Sequence, residues 1–139
     1  MNDVPRDLMD AMLRVDFPSF IACAMAELEP GTYYTENWHM LHLADRLEAV
    51  RRGEVRRLMI NQPPRSLKTH ISSICYPAWI LGHDPTRRII CVTYSNDVAR
   101  GQAVLFQKLM RSPWYRRLLP RTKPAVPNRL LDWQTSVGG

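Results

Sequence analysis

The chain has 139 residues, 45% of them hydrophobic, 23% charged and 9% aromatic. That is enough for one core, and it excludes a disordered or collagen-like chain. Nineteen Lys and Arg against thirteen Asp and Glu give +6, unevenly spread: residues 1–54 carry a net −5 and residues 55–139 a net +11.

The basic half predicts a polyanionic partner. Sixteen of the nineteen bases are Arg, the residue suited to forked phosphate contacts, so each of the three lysines invites a reason for not being Arg. No run approaches the roughly 18 apolar residues of a membrane helix. The longest apolar stretch, Phe17 to Ala26, follows Asp3, Asp7, Asp10 and Asp16 rather than a basic leader segment, so the expectation is a cytosolic chain without a membrane segment. Cys23, Cys75 and Cys91 have no metal-ligand spacing and are odd in number, which reads as reduced core thiols.

In chain order, Asp7–Leu13 and Phe20–Leu28 have apolar residues at helical spacing until Glu29, Pro30 and Gly31 stop the pattern. A clearer helix runs from Trp38 to Val50, closed by Arg51, Arg52 and Gly53. Leu58–Ile60 reads as a short buried strand running into the loop Asn61-Gln62-Pro63-Pro64. Thr69–Leu81 is apolar at helical spacing, and Pro77 is expected to shorten or kink it. Arg88–Tyr94 is β-branched and almost continuously apolar, the pattern of a strand covered on both faces. Ser95, Asn96 and Asp97 can cap the next helix, which Pro113 ends. Beyond Trp114 the chain is proline-rich and basic, with one weak strand candidate at Arg129–Gln134. Strand, loop, helix, strand, helix predicts an α/β fold: a helical segment over residues 1–54, then over 55–139 the first βαβα part of a P-loop NTPase parallel sheet.

The chemistry-bearing motif is Leu58-Met-Ile-Asn-Gln-Pro-Pro-Arg-Ser-Leu-Lys-Thr69, a loop between a predicted strand and a predicted helix. Lys68 and Thr69 match the last two positions of G-x-x-x-x-G-K-[ST]. In that geometry loop amides meet the phosphates, the lysine reaches the β and γ oxygens, and the hydroxyl binds Mg²⁺. Gln62 and Leu67 stand where the two glycines belong, so the side chain of Leu67 has to point away from the phosphates. Arg65 and Lys68 both lie at the positive end of the helix dipole, with no acid in sequence between Glu54 and Asp84. Two cations there call for an anion.

The segments Trp38-His39, Arg46–Leu58, Asn61–Thr69, Pro77–Pro85, Arg87–Ala99, Ser112–Arg116 and Thr135–Gly139 occur in one order at sensible spacings. From about Phe17 onward the chain resembles the N-terminal ATPase region of tailed-phage large terminase subunits, whose phosphate loop often reads P-P-R-x-x-K-[ST]. The resemblance implies a motor that hydrolyses ATP to drive double-stranded DNA into a capsid, with a nuclease in a further domain. It implies that Pro64, Arg65, Ser66, Leu67, Lys68 and Thr69 form the nucleotide loop. Thr69 then binds Mg²⁺, Arg65 contacts the γ-phosphate, and Trp38 and His39 form the adenine-side segment. Trp38 also fits a core position, and His39 a capped surface histidine. Portal protein and a small terminase subunit are the implied partners, inside a bacterial host cell, with an oligomeric ring expected only of the full-length protein.

The chain departs from that family in its acids. After Lys68 only Asp84, Asp97 and Asp132 remain, none at the end of a long apolar strand, and no glutamate follows Glu54. The expectation is a truncated amino-terminal part that turns over no ATP alone, since phosphoryl transfer needs a strand-end acid for Mg²⁺ and, in ATPases of this kind, an adjacent glutamate to orient water. The competing expectation is a non-catalytic remnant or a basic DNA-binding module. Val98–Leu131 holds eight bases and no acid, interleaved with Phe106, Trp114 and Tyr115, which fits a DNA-facing surface or a solvated face. Tyr94, Ser95 and Asn96 fit either a helix cap or a place near the nucleotide.

Overall fold

Asp16 ends one helix and starts the next. In a computed structural model that describes residues 5–126 and 129–139, its N–H closes α1 (Arg6–Val15) on the Met12 carbonyl, and its carboxylate accepts from Ser19 N at 2.9 Å. Asp3 and Pro127 lie outside the described residues. Pro18 stands in the first turn of α2 (Phe17–Leu28), where a missing N–H leaves no bond unmade. Asn37 caps α3 (Trp38–Arg51), accepting from Trp38 N at 2.8 Å. Gly53, at φ +80°, carries the chain out of that helix, as the Arg51-Arg52-Gly53 ending predicted.

The next helix is continuous but uneven. It begins as α4 (Lys68–His70), widens into a π-helical stretch (Ile71–Cys75) and resumes as α5 (Tyr76–His83). Pro77 explains the widening: it has no N–H for the preceding turn, and the Tyr76 N–H reaches back five residues to Ile71 O. Ser95 caps α6 (Asn96–Arg111) by accepting from Val98 N at 3.3 Å, so the capping reading of Ser95 holds. Ser112 ends α6 and caps α7 (Pro113–Leu118), accepting from Tyr115 N at 3.4 Å. The sequence reading missed α7 because it took Pro113 only as a stop, and proline is equally suited to the first helical position.

These helices share one core. Phe17, Phe20, Trp79 and Tyr115 are fully buried, with Trp79 centred 5.0 Å from Phe20 and 5.3 Å from Phe17. Burying Trp79 also requires a partner for its indole N–H. That partner is Glu48 Oε1 of α3 at 2.6 Å, a carboxylate that Arg51 grips through two bonds of 2.9 Å. The contact pins α5, and with it the helix that starts at Lys68, to α3. The Tyr115 hydroxyl donates to the Ala78 carbonyl at 2.7 Å, tying α7 to the same helix. Of the cysteines only Cys75 is a core residue; Cys23 is half-buried and Cys91 exposed.

The predicted α/β architecture is corrected. Among the described residues the protein is helical, with no β-strand and a single antiparallel bridge, Pro124 to Thr135. Leu58–Ile60 and Arg88–Tyr94 pair with nothing, and Arg129–Gln134 is a series of bends. A parallel strand needs apolar cover on both faces. Here the helices cover one face only: Leu58 and Ile60 pack on the core while Met59 is 84% exposed. Ile90, Val92 and Tyr94 are exposed in the same way. The βαβα P-loop sheet is therefore not the fold of this chain.

Candidate functional site

Pro63 and Pro64 supply no amide donors, so the loop's donors begin at Arg65. Among the described residues no N–H from Arg65 to His70 bonds a backbone carbonyl; the first helical bond at this end is Ile71 N to Leu67 O, at 3.0 Å. Free amides at the start of a continuous helical segment are the arrangement that receives an anion. Residues Arg65–His70 line an open concavity of about 350 Å³.

Two backbone angles shape this turn. Arg65 (φ +63°) and Leu67 (φ +58°, ψ +8°) both take the left-handed conformation that glycine adopts most easily. Leu67 thus takes a glycine-like conformation at the position where the motif has its second glycine. Its side chain packs against the core and, with Met25, Tyr34 and Met40, lines a second cavity of about 210 Å³. Burial, with Glu36 nearby, pushes the Tyr34 phenol up to about 12, so it stays a neutral wall of that cavity. A left-handed leucine costs on the order of 1 kcal/mol or more, and its packing offsets part of that cost.

Lys68 bends back over its own loop, where its Nζ donates to Pro63 O at 3.1 Å. Thr69 is exposed beside it. Ser66 is buried, and its Oγ has no hydrogen-bond partner among the described residues, as is true of Gln62 Oε1 earlier in the loop. Pro64, Arg65, Ser66, Leu67, Lys68 and Thr69 are thus brought together by a single turn.

Trp38 and His39 are not part of that concavity. Trp38 is 75% exposed at the start of α3, edge-on to His39 at 6.1 Å, so it is no core residue either. His39 Nε2 is buried without a partner among the described residues. Tyr94 is exposed, and Asp84, Asp97 and Asp132 lie outside the loop's lining. Asp84 instead accepts from Thr86 and Arg87, and the Thr86 bonds lead in holding its carboxyl below the ordinary range.

The sequence reading missed one carboxylate. Glu29, from the end of α2, reaches His70 with Oε1 3.2 Å from Nε2, and it lines the Leu67 cavity. Only tertiary packing brings it here, so no spacing signalled it. The basic stretch is also less free than its composition suggests. Lys108 donates to Leu28 O at 3.1 Å, and Arg117 is bound to Asp10. Arg100, Arg111, Arg116, Arg121, Lys123 and Arg129 are exposed and make no ion pair among the described residues.

No known family model, curated protein or solved structure matches the chain. No helix among the described residues is long and apolar enough to cross a membrane.

Proposed function

We propose that the chain binds the phosphates of ATP through its Pro64–Thr69 loop, as a portion of a phage terminase large subunit, the motor that packages double-stranded DNA inside a bacterial host cell. The observation that carries this reading is the turn itself. Six consecutive free amides, a left-handed residue immediately before Lys68 and an ammonium folded over the loop make a cradle for an anion of high charge. Lys68 exchanges the Pro63 carbonyl for a β/γ oxygen, Arg65 meets the γ-phosphate, and the Thr69 hydroxyl turns to Mg²⁺. Trp38 and His39 serve the adenine side only by closing from α3.

The reading rests on this loop and on the terminase-like order of segments, not on a sheet. DNA is the proposed polyanion for the six bases left unpaired among the described residues, with portal protein and a small terminase subunit as the further partners. The competing reading, a basic module that binds DNA without nucleotide, shares the same bases but needs no cradle. Titration of MgATP into wild type and Lys68→Ala separates the two. A charge-assisted bond of about 1.5–3 kcal/mol predicts at least ten-fold weakening on Lys68→Ala. Equal affinities assign the loop to structure alone.

A further inference from the structure

Ile89–Tyr94 is a strand-like segment with a bare edge and a bare face. Its side chains alternate. Ile89, Cys91 and Thr93 line a cavity of about 180 Å³ against α6 and the C-terminal segment, while Ile90, Val92 and Tyr94 are 89%, 88% and 92% exposed. That period of two is the mark of extended chain. From Arg88 to Tyr94 no backbone N–H or C=O makes a backbone hydrogen bond among the described residues. The six residues Ile-Ile-Cys-Val-Thr-Tyr contain no charge, proline or glycine, and such a segment on an open edge pairs readily with another of its kind.

The charges at its two ends decide which partner and which direction. Arg88 precedes the segment and Asp97 follows it; both are exposed, and neither makes an ion pair among the described residues. A parallel partner stacks Arg88 on Arg88. An antiparallel second copy keeps the two Arg88 at opposite ends and brings each toward the start of the other copy's α6, where Asp97 lies.

We propose that Ile89–Tyr94 is a self-association edge that pairs antiparallel with the same segment of a second copy of this chain, Val92 facing Val92 and Ile90 facing Tyr94. That register puts the three exposed side chains of each copy on one common face, with two aromatic to β-branched pairs flanking a central valine pair. It is independent of nucleotide binding, because the Lys68 loop contributes nothing to it.

The test is sedimentation velocity on the full chain, under reductant so that exposed Cys91 forms no disulfide. Wild type is expected to show a concentration-dependent monomer–dimer equilibrium. Val92 is exposed, so Val92→Lys and Val92→Asp keep the fold, checked by circular dichroism. Each variant alone is expected to be monomeric, because position 92 faces its own copy, and an equimolar mixture is expected to restore the dimer. A monomeric wild type, growth past two copies, a dimer that survives Val92→Lys, or a mixture that stays monomeric overturns the proposal.

Discussion

Arg117 holds Asp10 with both arms of its guanidinium, Nε to Oδ2 at 2.9 Å and Nη2 to Oδ1 at 3.1 Å, joining α7 to α1. The aspartate is buried, at 7% exposure, whereas nearly half of the arginine side chain faces water. The Arg117 hydrogen bonds hold the Asp10 carboxyl below its ordinary value of 3.8, against the opposing effect of burial. A depressed carboxyl contributes stability that is present above its unfolded value and is lost as pH falls through the folded one.

Acid titration of stability checks that relationship. Wild type is expected to lose stability progressively as pH drops below the ordinary aspartate range. Asp10→Asn is expected to flatten that part of the profile. Arg117→Met at neutral pH leaves a buried carboxylate unpaired, at a cost of roughly 1–3 kcal/mol. Identical acid profiles for wild type and Asp10→Asn would remove the pair from the stability account.

The same pair separates two neighbouring arginines in DNA binding. Arg116 is exposed and unpaired, so neutralising it as Arg116→Gln is expected to lower the slope of log K against log salt by about 0.9, the release from one phosphate contact. Arg117→Gln is expected to leave that slope unchanged and to lower thermal stability instead. Equal slope changes for the two variants contradict the assignment of Arg117 to Asp10.

Leu67 offers a test of the loop's backbone. Glycine takes the left-handed conformation freely, so Leu67→Gly is expected to retain MgATP affinity. A β-branched residue resists that conformation, so Leu67→Ile is expected to weaken MgATP and to destabilise the chain by about 1 kcal/mol or more. Calorimetric titration of both variants checks this, and tighter binding by Leu67→Ile than by Leu67→Gly contradicts it.

What the sequence made legible was local. Ser95 and the Arg51-Arg52-Gly53 ending act within a few residues of themselves, and they delimit helices as read. The position of Lys68 at a helix start was legible for the same reason. The sheet was misread because Ile89–Tyr94 looks alike whether one face or both are covered; what decides is whether a second apolar layer exists elsewhere, and here the helices supply only one. The Leu67 side chain packs on the core, and residue type argues against its left-handed backbone, so that angle could come only from structure. Glu29 meets His70 through the packing of α2 against the loop's helix, which no motif encodes.

The most direct measurement of the central claim is a residue-by-residue map of backbone amide shifts as MgATP is added, with AMP as the comparison. If the terminal phosphates meet the amides of the loop, the largest changes are expected at Arg65–His70 with MgATP, with little change there with AMP and loss of the pattern in Lys68→Ala. Shifts of equal size with AMP, or MgATP shifts that avoid Arg65–His70, would contradict it.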